Sequence, residues 1–204
     1  MLLLALLACQ DVDDIPGTPW DVPILVSDPE DPWHRCAPDR DVRVDCTLDG
    51  DTFDISACGE GERVRMLGID APETEKPGKE ADCWGPEAAA ELNRLLAGRV
   101  VTLSFDRECK DIFPPPNDRT LAWVWMDVQD AVTLFDPSLL DDVLDDVDLT
   151  EERPRVLLNE YLLLAGWARR YDEAWVQPLA LEGELIAAER LAMVRRQGLW
   201  GRCP

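Results

Sequence analysis

Histidine is almost absent: the 204 residues include one, His34. None of the seven cysteines stands in a C-x-x-C pair. Together these absences argue against a zinc centre. Positive charge is also scarce. Twenty Lys and Arg face 42 Asp and Glu, giving a formal net charge of −22. Such a chain repels polyanions at long range, so a nucleic-acid partner would need a local device to overcome that field. The leading apolar run, Leu2 to Ala8, is too short to cross a bilayer as a helix.

What is present is unevenly spread. Residues 10–41 hold nine acids against two bases, and residues 127–153 hold ten against one. Most of the excess charge therefore sits in two segments that read as solvated periphery. The N-terminus, "MLLLALLACQ", reads as residues 1–8 of an export signal ending at Cys9. Leu6-Leu7-Ala8-Cys9 resembles a bacterial lipobox, so Cys9 is the candidate lipid-attachment site; an ordinary cleaved signal is the alternative. Residues 9–41, rich in Pro and Asp, suit an extended tether, with His34 a plain surface residue on it. The remaining cysteines, Cys36, Cys46, Cys58, Cys83, Cys109 and Cys203, are even in number and fit disulfides in an oxidising compartment.

From Val42 the pattern is that of a folded domain running to residue 204. Val42, Val44, Cys46 and Leu48 alternate with polar residues, Asp49-Gly50 marks a hairpin turn, and Phe53, Ile55 and Ala57 alternate beyond it. With that turn as pivot, Cys46 lies opposite Phe53 and on the apolar phase of its strand. Cys58 lies on the polar phase of its own, which argues against a Cys46–Cys58 bridge. Residues 63–69 read as a third strand, and "PEAAAELNRLLAG" as a helix from Pro86 to a stop at Gly98. Residues 99–105 and 119–127 read as fourth and fifth strands, separated by a segment that three consecutive prolines keep irregular. The acidic stretch 127–153 lacks the order of a calcium loop and reads as a solvated insertion. Within it Leu139, Leu140, Val143, Leu144 and Val147 can line one face of a short helix. Helices are predicted from Pro154 to Gly166 and from Pro178 to Gly198. The order fits a five-stranded barrel with helices packed on it.

The chemistry gathers around "DGDTFDI" and "VRMLGIDAPE". Adjacent strands can bring Asp51 and Asp70 to one rim of a barrel. Two carboxylates with a nearby carbonyl make a hard-oxygen site suited to calcium or magnesium. Glu73 can orient or deprotonate a water. Arg65 and Arg119 are forked donors matched to a phosphate. On this reading the third strand is a ruler, with Arg65 at one end and Asp70 and Glu73 at the other.

These blocks, with "CWGPEAAAELNRLLAGRVVTL", "DRTLAWVW", "LLNEYLLLAGWA" and the terminal "GLW", resemble the thermonuclease family, the staphylococcal nuclease-like domains, from about Val42 to Trp200. The resemblance implies an α+β fold: a five-stranded OB-fold-like barrel with three packed helices. It implies calcium held by Asp51, Asp70 and the Ala71 carbonyl, with Asp49 in support. It also implies Glu73 as general base, Arg65 and Arg119 on the phosphate, and Lys79 and Tyr171 near the substrate. The sequence departs from the family where Asp118 replaces a glycine beside Arg119, in the insertion, and in the few lysines available to a substrate groove.

The expectation is therefore an exported, monomeric, calcium-dependent nuclease that cuts single-stranded DNA or RNA and meets a membrane only through a lipid on Cys9. Two other readings stay open. One is a non-catalytic binding module on the same fold. The other is a calcium-dependent surface lipoprotein whose acidic insertion contacts a partner.

Overall fold

The structure, a computed structural model, describes residues 38–75, 77–106, 119–145, 147–171 and 179–204. Cys9, the tether up to residue 37 with His34 and Cys36, the proline loop with Cys109, and Asp118 lie outside the described residues.

Five strands close into a barrel: β1 (Arg40–Thr47), β2 (Thr52–Ile55), β3 (Glu62–Met66), β5 (Val100–Ser104) and β6 (Arg119–Asp127). Antiparallel pairing runs β3-β2-β1-β5-β6, and a parallel β3–β6 pairing seals the ring. Closure removes the exposed strand edges. Period-2 alternation sends Val44, Phe53, Val64, Met66, Val101 and Leu103 into the interior, all nearly free of solvent contact. Helix α1 (Gly85–Leu96) lies against β1 and buries Ala88, Leu92, Leu95 and Leu96, spaced to share one helical face.

The third strand breaks where the sequence reads it as continuous. It stops at Met66, turns at Leu67-Gly68, and resumes as the short β4 (Ile69–Asp70). Gly68 takes φ +73°, and a Cβ there would stand 2.5 Å from the Leu185 side chain, so the turn requires glycine. The strand is therefore no ruler: it folds back and brings Asp70 towards Arg65. Asn159, fully buried, holds this fold-back. Its Nδ2 donates to the Leu67 carbonyl at 2.8 Å, and its Oδ1 accepts the Val124 N–H at 2.9 Å.

The predicted helix at Pro154 begins instead as a strand, β7 (Arg155–Leu157), which extends the sheet beyond β6. Only then does the chain coil into α4 (Leu158–Leu164). β8 (Arg169–Arg170) pairs with β4, and α5 (Glu182–Arg195) packs on α4 before the terminal turn α6 (Leu199–Arg202). Among the described residues no helix is long and apolar enough to cross a membrane.

The acidic insertion is folded onto the domain: α2 (Val128–Leu134), a 3-10 turn (Pro137–Leu139) and α3 (Leu140–Leu144). Its described acids are exposed or half-buried, while Ala131, Phe135, Leu139 and Val143 join the core. Phe135 stacks on Tyr161 with ring centroids 3.6 Å apart.

Cys46 and Cys58 form a disulfide, with Cα atoms 5.7 Å apart, against the expectation from strand phase. A bulge between Val44 and Cys46 shifts the register so that Cys46 faces Asp54 rather than Phe53. Ser56 then takes φ +75° and turns the chain back beneath it. Cys83 pairs with Cys203 across 120 positions.

Candidate active site

Leu48 N–H donates to the Thr52 carbonyl at 2.8 Å, closing the tight turn that precedes β2. Asp49 accepts the Asp51 N–H at 3.1 Å and so shapes the approach to Asp51. Asp51 itself is only 1% exposed. A carboxylate so deeply buried needs strong donors. It has three: the Thr52 hydroxyl at 2.9 Å on Oδ1, the Ala71 N–H at 2.7 Å on Oδ2, and an ion pair from Arg65 Nη1 to Oδ1.

Register delivers Arg65. Thr52 faces Arg65 across β2–β3, so the residue before Thr52 lies beside the guanidinium. The fold-back at Gly68 then returns Asp70 to the same point. Arg65 Nη2 donates to Asp70 Oδ1 at 2.7 Å and to the Ile69 carbonyl at 3.1 Å. One guanidinium thus bridges the two carboxylates, one buried and one with 57% of its side chain exposed. The pair carries two negative charges against one positive.

That arrangement fits a hard divalent cation. Two carboxylate oxygens already converge on one cationic group, and the Ala71 backbone is fixed against Asp51. Among the described residues no three His, Cys, Asp or Glu side chains gather as a metal cluster. A cation here would take Asp51 and Asp70 and complete its shell with main-chain and solvent oxygens.

Glu73 follows across Pro72 and is half-buried. Its main chain is joined at both ends to Asp82. Lys79 is exposed in the intervening loop, 3.3 Å from Asp82. Tyr171 is half-buried, and its N–H donates to the Gly68 carbonyl at 2.9 Å, at the fold-back rather than at the carboxylates. Arg119 opens β6, exposed, opposite Arg63 and two positions back along β3 from Arg65. Arg63 is committed elsewhere, to Asp54 at 2.9 Å. Burial opposes ionisation of Asp54, but the Arg63 guanidinium and the Gly59 N–H outweigh it and hold the carboxyl below the usual carboxylate range.

Sequence reasoning did not single out Thr52, Asp82 and Asn159, which bond to residues of the site or its fold-back, nor Arg169 beside them. Arg169 lies directly opposite Asp70 in the β4–β8 ribbon, with its guanidinium 5.1 Å above the Trp200 ring. The paired arginines of "ARRY" were the available signal.

Residues 63–202 match a family described as Staphylococcal nuclease homologue. Over 79 residues the chain is 42% identical to a protein named Thermonuclease from Staphylococcus intermedius, covering 39% of this chain and 45% of that one. Over 90 residues it is 36% identical to the Thermonuclease of Staphylococcus hyicus, covering 44% and 51%. Over 88 residues it is 34% identical to the SPbeta prophage-derived endonuclease YokF of Bacillus subtilis, covering 43% and 28%. The chain thus spans about half the length of the two thermonucleases.

Proposed function

The chain belongs to the staphylococcal nuclease family, and from that premise we propose that it is a calcium-dependent, sugar-nonspecific endonuclease hydrolysing phosphodiester bonds of DNA and RNA. The observation that carries the reading is the Arg65 guanidinium bridging Asp51 and Asp70 beside the Glu73 loop. The relatives named as thermonucleases and endonuclease support it.

Asp51, Asp70 and the Ala71 carbonyl would hold the calcium, which would supply positive charge to the phosphate. Glu73 takes a proton from water as its oxygen attacks phosphorus in line. A new P–O bond forms, the ester P–O bond opposite breaks, and the departing oxygen is protonated from solvent. Arg65 offers the phosphate the same forked donors it gives the carboxylates in this structure, and Arg119 adds a second fork as charge grows on the phosphoryl oxygens. Single-stranded nucleic acid is the preferred substrate, because an open barrel face reaches splayed bases more easily than paired ones.

With so few cations at the site against a net charge of −22, substrate binding is expected to be weak and salt-sensitive. A chain gripping two or three phosphates should lose about tenfold in affinity for single-stranded DNA between about 50 and 200 mM salt. Fluorescence anisotropy of the Glu73→Gln variant with labelled DNA reads this without cleavage. An affinity flat across the titration would contradict an arginine-to-phosphate grip.

The reading also puts the chain outside the reducing cytosol, tethered through Cys9. The Cys46–Cys58 and Cys83–Cys203 disulfides support export.

A further inference from the structure

Residues 73–82 form a loop whose ends meet. The Asp82 N–H donates to the Glu73 carbonyl at 2.9 Å, and Asp82 Oδ2 accepts the Glu73 N–H at 3.3 Å. Both main-chain groups of Glu73 are thus held by one residue nine positions on. Among its described residues Glu75, Pro77, Gly78, Lys79 and Glu80 are exposed, Thr74 and Ala81 are half-buried, and Lys79 lies 3.3 Å from Asp82. A segment with few buried apolar groups takes much of its position from its ends.

The Asp82 end is fastened twice. On one side the chain passes into α1. The Gly85 N–H donates to the Asp82 carbonyl at 3.0 Å, and a Cβ on Gly85 would stand 2.2 Å from the Glu73 carbonyl oxygen, so the start of the helix lies directly on Glu73. On the other side the residue after Asp82 is Cys83, bonded to Cys203. Cys203 in turn is fixed to the body of the protein. Its N–H donates to the Leu199 carbonyl at 2.9 Å, and Leu199 is buried with its own N–H on the Gly166 carbonyl at 2.9 Å. A cross-link between residues 120 positions apart therefore ends one residue from the group that closes the Glu73 loop.

We propose that Asp82 is a positioning residue for Glu73 and that the Cys83–Cys203 disulfide holds Asp82 in place, so that reducing this disulfide lowers the hydrolytic activity. The proposal rests on the reading of Glu73 as general base. Cys83 is exposed, within reach of a small dithiol. One thiolate of the dithiol attacks a sulfur of the disulfide to give a mixed disulfide, and its second thiol displaces the protein. Two electrons pass to Cys83 and Cys203, which leave as thiols, and the dithiol is oxidised to a cyclic disulfide.

The test uses the full oxidised chain and four variants: Asp82→Ala, Asp82→Asn, the pair Cys83→Ser with Cys203→Ser, and the pair Cys46→Ser with Cys58→Ser. The first readout is amide hydrogen exchange. At Glu73 it should quicken about tenfold or more in Asp82→Ala and in the Cys83/Cys203 pair, stay near wild type in Asp82→Asn, which keeps an acceptor, and not change at Val64 in the barrel. Unchanged exchange at Glu73 overturns the proposal whether or not the chain is a nuclease.

The second readout is cleavage of single-stranded DNA well below Tm. A misplaced base should lower kcat by about tenfold in Asp82→Ala and in the Cys83/Cys203 pair, with KM within about twofold. Dithiothreitol should lower kcat equally in wild type and in the Cys46/Cys58 pair, and add nothing to the loss in the Cys83/Cys203 pair. A lower Tm with kcat unchanged would make the disulfide merely structural and overturn the proposal. If Glu73 exchange responds as stated while no form of the chain cleaves, the positioning stands and the nuclease reading fails.

Discussion

Replacing Glu73 by Gln should lower kcat by about 10²- to 10⁴-fold, the usual contribution of a positioned general base. The substitution keeps shape and removes only the ability to take a proton. Glu73 sits in a loop closed through its main chain, by Asp82 on its N–H and carbonyl, so the amide side chain inherits the same placement. Tm, calcium affinity and KM should therefore stay near wild type. That split separates catalysis from binding, because a mutation removing only transition-state help leaves substrate affinity intact. Initial rates on single-stranded DNA, with calcium binding measured on the same samples, read it directly. A variant that binds DNA and calcium like wild type and cleaves equally fast would remove Glu73 from the mechanism. A wild type without activity would favour the binding module.

Arg65→Ala carries the second large effect, on two observables at once. In catalysis it removes a forked donor from the phosphate, about 10²- to 10³-fold in kcat. In folding it leaves Asp51 buried without its cation. Asp51 keeps the Thr52 hydroxyl and the Ala71 N–H, but neither neutralises a carboxylate that is only 1% exposed. Breaking one half of such a pair costs about 3 kcal/mol. Urea denaturation should show that loss without calcium. Calcium should restore part of it, since a ligand that binds only the folded state stabilises by mass action. Arg65→Lys should fall between, because one ammonium cannot fork across Asp51, Asp70 and the Ile69 carbonyl as the guanidinium does. Equal stability of wild type and Arg65→Ala in calcium-free buffer would mean that the Asp51 charge is neutralised by something other than Arg65.

Much of this site was legible because its parts lie in runs with a clear period. Val42–Leu48 and Phe53–Ala57 alternate, so the hairpin and the approach to Asp51 follow from the pattern alone. The helix from Pro86 to Gly98 has both its start and its stop in sequence and matches α1 closely. What failed to show is set by partners far away in the chain. Residues 63–69 read as one continuous strand, and the break at Gly68 depends on Leu185 and on Asn159, 92 positions beyond Leu67. Residues 155–157 are strand because β6 lies alongside, with Trp125 opposite Leu157; their own apolar pattern suits a helix as well. The Cys46–Cys58 bridge depends on a bulge, and a one-residue slip reverses every side chain after it. The insertion reads as solvated because acids dominate its composition. Of its buried residues, Leu139 and Val143 fall on the apolar face that the sequence shows, while Ala131 and Phe135 lie upstream of it.

The site residues divide the same way. Asp51, Arg65 and Asp70 announce themselves by residue type and spacing, and the structure brings them to one point. Asp82 and Asn159 act through backbone groups they meet only after folding, so neither has a signature of its own. Arg119 is placed by register beside Arg63, and its part in the chemistry belongs to the proposal rather than to a contact.

The most direct test of the central claim is hydrolysis of single-stranded DNA by the purified chain, followed with calcium and then with a chelator added mid-reaction. The account predicts cleavage that starts with calcium, stops on chelation and resumes when calcium is restored. Cleavage indifferent to the chelator, or a folded chain that binds calcium and leaves the DNA intact, would contradict it.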